Sequence, residues 1–531
     1  MGVSSSPDNS GREDLSFYKR YFAQRAVCPD ELPGIMRRHI YTGALGNVWG
    51  FLISGVFFIY FGNAIGMSPA DWGVLMGLSS FLLSAEVLSA RITRQVGRRK
   101  VLWFWFAVAC RSVRLFGVIL SYWLFQAGHR HAGIVLIASV CLSNFLGAMG
   151  NPPWWSWLAD IIPSAKHGRF WARRTWWVNV SVIFAVLPAA WVMDAMDEEW
   201  KLTAAVGVFF VATVIGLLDL LIHGTIPEPA MVVPERENFF QQFMTPIRDK
   251  GYRRWLLFNA CWTFGMNLGG ALATVYLLGD LGLKDNMLAA VVAWVIFSQL
   301  GTLLGSRKWG LYVDRYGVKP VLFWGYLFWS SWPLFWFFAT KNTALYLVGI
   351  SSLIGGSSSN AGTIAATKLI TRYPPPGHHV ATYSAVSNFV SNWMSGLACL
   401  VAGFTVKLIG PGHIDRFGIS FTAFHVLFAV SFLMRRFYPV SHSQAQDARP
   451  SRRGPLSRPG RARTRRRGVG GAFRLDKSLA PVKRLRYDAG LLARRVENMG
   501  SAVHAAFPLP ARERKCFSRS WILNGRRHES S

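Results

Sequence analysis

Two arginines inside an apolar run are the first candidates for chemistry in this chain. Arg111 and Arg114 lie well inside the third apolar run, roughly 15–20 Å from its start at 1.5 Å per residue. Their spacing of three residues puts both on one helical face, and a charge inside lipid is costly. This face either lines a pathway that attracts an anionic or polar solute, or it pairs internally with Glu86 of the second run or with helix carbonyls.

Neutral polar and aromatic side chains supply further pathway candidates. Asn151, Pro152, Pro153, Trp154 and Trp155 are consecutive in the fourth run, where two prolines are expected to break the helix. Irregular backbone at membrane depth is tolerated where it is buried or lines a cavity, so Asn151 and Trp154 are candidates, with aromatic packing as the alternative. Two more candidates, Asn360 and Asn388, lie in the tenth and eleventh runs; such amides also serve as hydrogen bonds between helices.

Catalytic, metal and nucleotide signatures are missing from the sequence. There is no G-x-x-x-x-G-K-[ST] motif, no nucleophile with a matching base, and the six cysteines are scattered. We therefore expect no enzyme activity, no cofactor and no metal site.

The candidates lie in a chain that is 51% hydrophobic and only 16% charged, which is too apolar for an average soluble enzyme. A membrane-spanning helix needs about 20 apolar residues. Runs of this kind are found near 40–62, 70–92, 101–125, 132–158, 176–193, 202–223, 254–279, 286–306, 321–340, 343–367, 381–409 and 416–434. The sequence predicts an all-α polytopic membrane protein with twelve transmembrane helices.

Lys and Arg in the loops predict the orientation. The loops after even-numbered runs carry twenty of them, and the loops after odd-numbered runs carry six: Arg130, Lys201, Lys284, Lys341, Lys407 and Arg416. Because cytoplasmic loops are enriched in Lys and Arg, the even loops and both termini are expected in the cytoplasm.

Two short basic loops occupy equivalent places in the two halves of the chain. The second, residues 310–319, fits the pattern G-x-x-x-D-R-x-G-x-K. Gly310 would let two helices approach closely, Asp314 would take charge-assisted hydrogen bonds, and Gly317 would permit a tight turn. Arg315 and Lys319 would anchor the loop on the cytoplasmic side.

In this pattern the chain resembles the major facilitator superfamily, whose signature loops follow helices 2 and 8. The resemblance covers roughly residues 38–438 and implies two pseudo-symmetric six-helix bundles that transport a solute by alternating access. The first loop departs from the pattern, since it keeps Gly97, Arg98, Arg99 and Lys100 but has Arg94 at the acidic position. The cytoplasmic latch that the acidic residue forms in the family is therefore in question, and Asp160 or Glu86 could substitute for it.

The segment after the fourth run is another element similar to the superfamily. Asp160 precedes Pro163 and the bases Arg169 and Arg173. We expect Asp160 to pair with Arg169 or Arg173 at the inner surface, in a structural or gating role.

These features predict five regions: a cytoplasmic lead-in (1–38), an N-terminal six-helix bundle (39–224), a central loop (225–253), a C-terminal bundle (254–439) and a basic tail (440–531). The tail carries 22 Lys and Arg against 6 Asp and Glu, or +16, with no apolar periodicity. Three interpretations stay open for it: a disordered segment held by anionic lipid, the product of a shifted reading frame, or a nucleic-acid-binding tail, which lacks any recognisable module.

We expect a secondary transporter that moves a small polar or anionic solute. The alternative is a membrane scaffold or sensor that kept the transporter fold. The expected partners are a small-molecule substrate and membrane lipid, with no nucleic acid and an unspecified coupling ion, proton or sodium. The resemblance also implies a monomer in a bacterial inner membrane.

Overall fold

A computed structural model describes residues 21–163, 166–231, 239–372, 380–410, 412, 414–416 and 419–445. All the helices below belong to one compact unit.

Twelve helical segments follow one another along this unit. The first six are α1 (Leu32–Ala64), α2 (Pro69–Val96), α3 (Arg99–Gln126), α4 (Ala132–Ile161), α5 (His167–Ala195) and α6 (Glu198–His223). The last six are α7 (Lys250–Leu278), α8 (Met287–Tyr316), α9 (Val318–Ser330 with Trp332–Phe337), α10 (Ala344–Arg372), α11 (Val380–Ile409) and α12 (Ala423–Ala445). A short helix, Phe239–Arg248, precedes α7.

Local sequence explains several of the helix ends. Ser68 and Asp71 form a reciprocal capping box at the start of α2, and the Asp249 carboxylate caps α7. Gly97 and Gly317 separate α2 from α3 and α8 from α9, with φ of 68° and 88°. A side chain with a Cβ is strained at these φ values, so both signature loops depend on glycine.

Helix contacts repeat when the helix number is raised by six. The first half contains the pairs α1–α5, α1–α6, α2–α4, α3–α4 and α3–α6, and the second half contains α7–α11, α7–α12, α8–α10, α9–α10 and α9–α12. Each half is therefore a six-helix bundle with the same packing scheme, which makes the two bundles pseudo-symmetric.

The contacts between the bundles obey the same symmetry, because α2 packs on α11, α5 packs on α8, and α1 packs on α7. We call the end with the loops after even-numbered helices the basic end, and the other the opposite end. Three specific contacts join the bundles between mid-depth and the opposite end. Gly73 of α2 faces Gly403 of α11, Phe81 faces Trp393 with ring centroids 5.1 Å apart, and Asp194 of α5 accepts the backbone N–H groups of Met287 and Leu288.

The all-α polytopic prediction is confirmed, with three differences in detail. Nine helices among the described residues are long and apolar enough to span a membrane. The last helix begins at Ala423 rather than 416, because Ile414–Arg416 and Ile419–Phe421 pair as two antiparallel strands. It continues to Ala445, beyond the end of its apolar run. The predicted tail, from 446 onward, lies outside the described residues.

Candidate functional site

A central cavity of about 610 Å³ lies between the two bundles. The first bundle contributes Phe58, Trp72, Ser79, Arg114 and Asn144, among others, and the second contributes Asn267, Trp294, Trp329, Trp332 and Arg435. Its volume is within the range of sites for small organic molecules.

Interrupted helices meet at this cavity. α1 stops at Leu52 and resumes at Gly55, where φ is +63°, and α7 stops at Gly270 and resumes at Ala273. Ser54 and Gly55, like Gly270 and Ala271, line the cavity. Helix breaks at membrane depth are tolerated where they line a cavity, and such breaks are frequent at transporter substrate sites.

α8 carries a third irregularity, a π-helical turn over Val292–Ile296. Trp294 of this turn lines the cavity, and π-turns inside α-helices are frequent at functional sites.

Arg114 of α3 reaches the cavity, and its hydrogen-bond partners among the described residues are neutral. Its Nε donates to Ser143 Oγ at 3.2 Å and its Nη2 donates to Asn144 Oδ1 at 2.6 Å. The residue is only 8% exposed, and its guanidinium lies 5.9 Å from the Phe58 ring. Arg114 therefore lines the cavity, and its role in a transport pathway stays a prediction.

Arg435 of α12 reaches the same cavity from the other bundle. Its Nη2 donates to the Met266 carbonyl at 2.8 Å and its Nη1 to the Trp329 carbonyl at 3.5 Å. The residue is 2% exposed, and Nε has no hydrogen-bond partner within the described chain. Sequence reasoning missed Arg435 because the last apolar run was expected to end at 434, which made a following arginine look like a surface anchor.

The charges around the cavity do not balance. Among the described lining residues, the charged side chains are Arg114 and Arg435, and none is a carboxylate. Removing a cation from water without a counter-ion costs several kcal/mol, and hydrogen bonds to hydroxyl, amide and carbonyl oxygens offset only part of that. The cavity is therefore suited to a negatively charged group.

Arg111, the other predicted pathway arginine, has a counter-ion. Its Nη2 lies 2.7 Å from Asp219 Oδ2, and its Nη1 donates to the Gly216 carbonyl. Both side chains are largely buried between α3 and α6. Glu86, which the sequence offered as a partner of Arg111, instead accepts a hydrogen bond from Asn151, with Nδ2 2.7 Å from Glu86 Oε1. Asp219 follows Gly216 by three residues on α6, and this places its carboxylate opposite Arg111.

The remaining pathway candidates are not among the described residues that line the cavity. α4 runs unbroken through Pro152 and Pro153, so the expected helix break is absent. Trp154 Nε1 donates to His223 Nε2 at 3.2 Å, in an aromatic group with His39. Asn360 of α10 is half-buried and Asn388 of α11 is exposed.

The first signature loop is held by Arg99. Its Nη1 lies 2.5 Å from Asp160 Oδ2, and its backbone N–H donates to Glu228 Oε1 at 2.6 Å. Asp160 therefore pairs with Arg99, not with Arg169 or Arg173, which are both exposed. Pairing with Arg99 follows from the α3–α4 contact, which brings the start of α3 beside the end of α4.

Glu228 provides the carboxylate that the first loop lacks at position 94. It is fully buried, and its Oε1 also lies 3.6 Å from Arg99 Nε. Sequence reasoning missed it because it follows α6, 129 residues after Arg99. Arg98 is exposed and has no role in this group.

The lead-in packs against the same end of the bundle. Gln24 Nε2 donates to the Gly97 carbonyl at 2.8 Å, and the Tyr21 hydroxyl donates to the Leu221 carbonyl at 2.8 Å. Burial raises the pKa of Tyr21 to about 12, so the hydroxyl keeps its proton and stays a donor at neutral pH.

The second signature loop is more exposed. Asp314, Arg315 and Lys319 all have exposed side chains, and the Arg315 guanidinium lies 5.4 Å from the Tyr316 ring. Around Gly310, no described atom lies within 4 Å of the place a Cβ would take. Among the described residues, no neighbouring helix therefore makes the close approach expected at Gly310.

The fold matches solved transporter structures at low sequence identity. The nucleoside transporter NupG shares 12% identity with a TM-score of 0.55, over 78% of this chain and 98% of that chain. A bacterial metal transporter shares 14% with a TM-score of 0.53, over 80% and 100%. A bacterial homologue of the iron transporter ferroportin, in an outward-facing state with soaked iron, shares 14% with a TM-score of 0.52, over 79% and 99%.

Sequence comparison points the same way, since the family described as Major Facilitator Superfamily matches residues 297–507. Over residues 297–507 the chain is therefore similar to the major facilitator superfamily. The match includes the second signature loop and confirms the resemblance there, and the prediction of a membrane transporter fold rather than an enzyme is confirmed as well. No curated protein matches the chain.

Proposed function

We propose that this protein is a secondary transporter of the major facilitator superfamily that moves a small polar or anionic solute by alternating access. The supporting observation is the central cavity, which takes its lining from both bundles and lies beside the contacts that join them. A solute held between two bundles changes its access when the bundles rock about it.

The conformation fits one stage of this cycle. The specific contacts between the bundles gather towards the opposite end, where Gly73 meets Gly403 and Asp194 caps the start of α8. If the basic end faces the cytoplasm of a bacterial cell, the bundles are closed on the outside, as in an inward-facing carrier.

Distances between spin labels test the proposal even before the solute is identified. One pair, at Arg130 and Lys341, reports on the opposite end, and a second pair, at Arg98 and Lys319, reports on the basic end; all four positions are exposed. In proteoliposomes, double electron–electron resonance is expected to show two distance populations for each pair. Addition of a solute or a change of pH should shift these populations in opposite directions for the two pairs, so that one end opens as the other closes.

A pair inside one bundle provides the control. Labels at Arg98 and Arg169 are both in the first bundle, so their distance should stay constant while the other pairs change. A single unchanging distance at both ends, across a broad solute panel and pH range, would contradict alternating access and favour the scaffold or sensor alternative.

A further inference from the structure

We infer that the solute is an amphipathic organic anion, with its acidic group held between Arg114 and Arg435 and its apolar body on the indoles of the cavity. This inference rests on the proposed transport function and names the substrate class of the same site. The acidic group is a carboxylate or a phosphate, since both present oxygens that guanidinium groups bind well.

The position of the two arginines is the first argument. Arg114 is about 22 Å from the start of α3 and Arg435 about 18 Å from the start of α12, at 1.5 Å per residue. These helices enter from the basic end and the opposite end respectively, so both guanidinium groups lie near mid-depth. Each belongs to a different bundle, so an anion bound by both would bridge the two moving parts.

Unused hydrogen-bonding capacity is the second argument. A guanidinium has five N–H donors and no acceptor. Arg435 uses its two Nη atoms on helix carbonyls and leaves Nε without a partner within the described residues. The two hydrogen bonds of Arg114 go to a hydroxyl and an amide. A bound acid would supply the missing negative charge and accept further N–H groups.

Cavity size and aromatic lining are the third argument. A bare phosphate or sulfate would leave most of the roughly 610 Å³ empty. Trp294 and Trp332 lie 5.8 Å apart between ring centroids, and both line the cavity with Trp72. Indoles provide large apolar contact area, so the remainder of the solute is expected to be apolar or aromatic.

The experiment compares phenyl compounds that carry acidic, neutral or basic head groups, with inorganic phosphate as the probe that lacks the apolar body. Thermal stability and tryptophan fluorescence of the full chain in detergent would be titrated with 3-phenylpropionate, benzylphosphonate, 3-phenylpropanamide, 3-phenylpropylamine and inorganic phosphate. We expect the two organic acids to bind at least about tenfold more tightly than the neutral amide, because a charge-assisted hydrogen bond is roughly twice as strong as a neutral one. The amine and inorganic phosphate should bind more weakly than the organic acids.

Variants then locate the charge preference. Arg114→Gln and Arg435→Gln should each lose at least about tenfold in acid binding while binding of the amide changes little. Arg435→Lys keeps the positive charge and should retain part of the preference for the acids over the amide. It therefore separates loss of the charge from a folding defect in the glutamine variant. Arg436→Gln is the matched control, because its guanidinium lies over the Phe432 ring and Arg436 is not among the described lining residues.

Three results would overturn the inference: an amide or amine that binds as tightly as the acids, acid binding that survives both glutamine changes, or no binding by any probe in the set. Any of these would leave the proposed function standing if the spin-label distances still change reciprocally. Unchanging distances would remove the proposed function itself, so the two failures are distinguishable.

Discussion

Arg111 and Arg114 show how two arginines on one helical face take different tasks. Three residues apart, they differ by about 60° around the α3 axis, enough to turn one towards α6 and the other towards the cavity. Arg111 meets the Asp219 carboxylate and also lies 4.9 Å from the Trp49 ring. Arg114 meets only neutral groups. Arg111 therefore stabilises the first bundle, and Arg114 is the residue that we propose for the solute.

Removal of one partner of the Arg111–Asp219 pair should destabilise the protein strongly. Arg111→Met removes the cation that contacts the buried Asp219 carboxylate, and breaking a buried ion pair in this way typically costs about 3–5 kcal/mol. SDS titration of the purified variants would measure this loss. The double variant Arg111→Met with Asp219→Leu should recover much of the stability, because neither charge then remains buried alone.

The half-exposed pair Arg25–Glu31, at 2.8 Å, is the control for this prediction. Exposed ion pairs contribute roughly 0–1 kcal/mol, so Arg25→Ala should change stability little. Equal losses from Arg25→Ala and Arg111→Met would contradict the structural role of the buried pair.

At the scale of elements, α2 and α11 approach each other closely through glycines towards the opposite end. A Cβ at Gly73 would lie 2.7 Å from the Gly403 Cα and 2.9 Å from the Cys399 carbonyl oxygen, and the reciprocal Cβ at Gly403 would lie 2.8 Å from the Gly73 Cα. Two further contacts join α2 and α11. Phe81 packs against Gly396, and the hydroxyl groups of Ser80 and Ser395 are 3.2 Å apart. Backbone atoms cannot rotate aside, so closure depends on small residues here.

Gly73→Ala should shift the protein away from the conformation closed at the opposite end. Overpacking of this kind costs about 1–3 kcal/mol, which corresponds to a population change of about 5–150-fold. Spin labels at Arg130 and Lys341 would report it as growth of the long-distance population.

Gly50→Ala is the matched control, because no described atom lies within 4 Å of the place its Cβ would take. It should leave the distance distribution unchanged. If Gly73→Ala has the same spin-label distance distribution as the parent protein, the α2–α11 contact accommodates the added methyl group and the prediction is wrong.

At the scale of the whole molecule, the Lys and Arg of the even loops predict the orientation. The basic end also holds the buried group of Arg99 with Asp160 and Glu228, whereas the opposite end holds the Asp194 cap of α8. The Arg99 group lies within the first bundle, whereas the Asp194 contact joins the two bundles.

Substituted cysteines would test the orientation in intact bacterial cells. A membrane-impermeant maleimide should label cysteines placed at Arg130 and Lys341, since these exposed loop positions are expected outside. Cysteines at Arg98 and Lys319 should react only after permeabilisation. A parent chain without its native cysteines is the background control, and the reverse labelling pattern would overturn the predicted topology.

The sequence by itself determined where the helices form and where they end, because both depend on residues that are neighbours in the chain. Runs of apolar residues predicted the positions of twelve helices, and Gly97 and Gly317 marked the tight turns that only glycine accommodates. Arg114 was predicted as a pathway residue because an arginine deep in an apolar run is conspicuous.

Only the tertiary structure decided which charges have partners. Asp219 lies 108 residues from Arg111 and Glu228 lies 129 residues from Arg99, and packing of α6 on α3 brings each carboxylate to its arginine. Arg435 follows an apolar run and looks like a surface anchor until the continued α12 carries it into the cavity. A local pattern sets where a helix forms, but the free energy of a buried charge depends on side chains that arrive from distant parts of the chain.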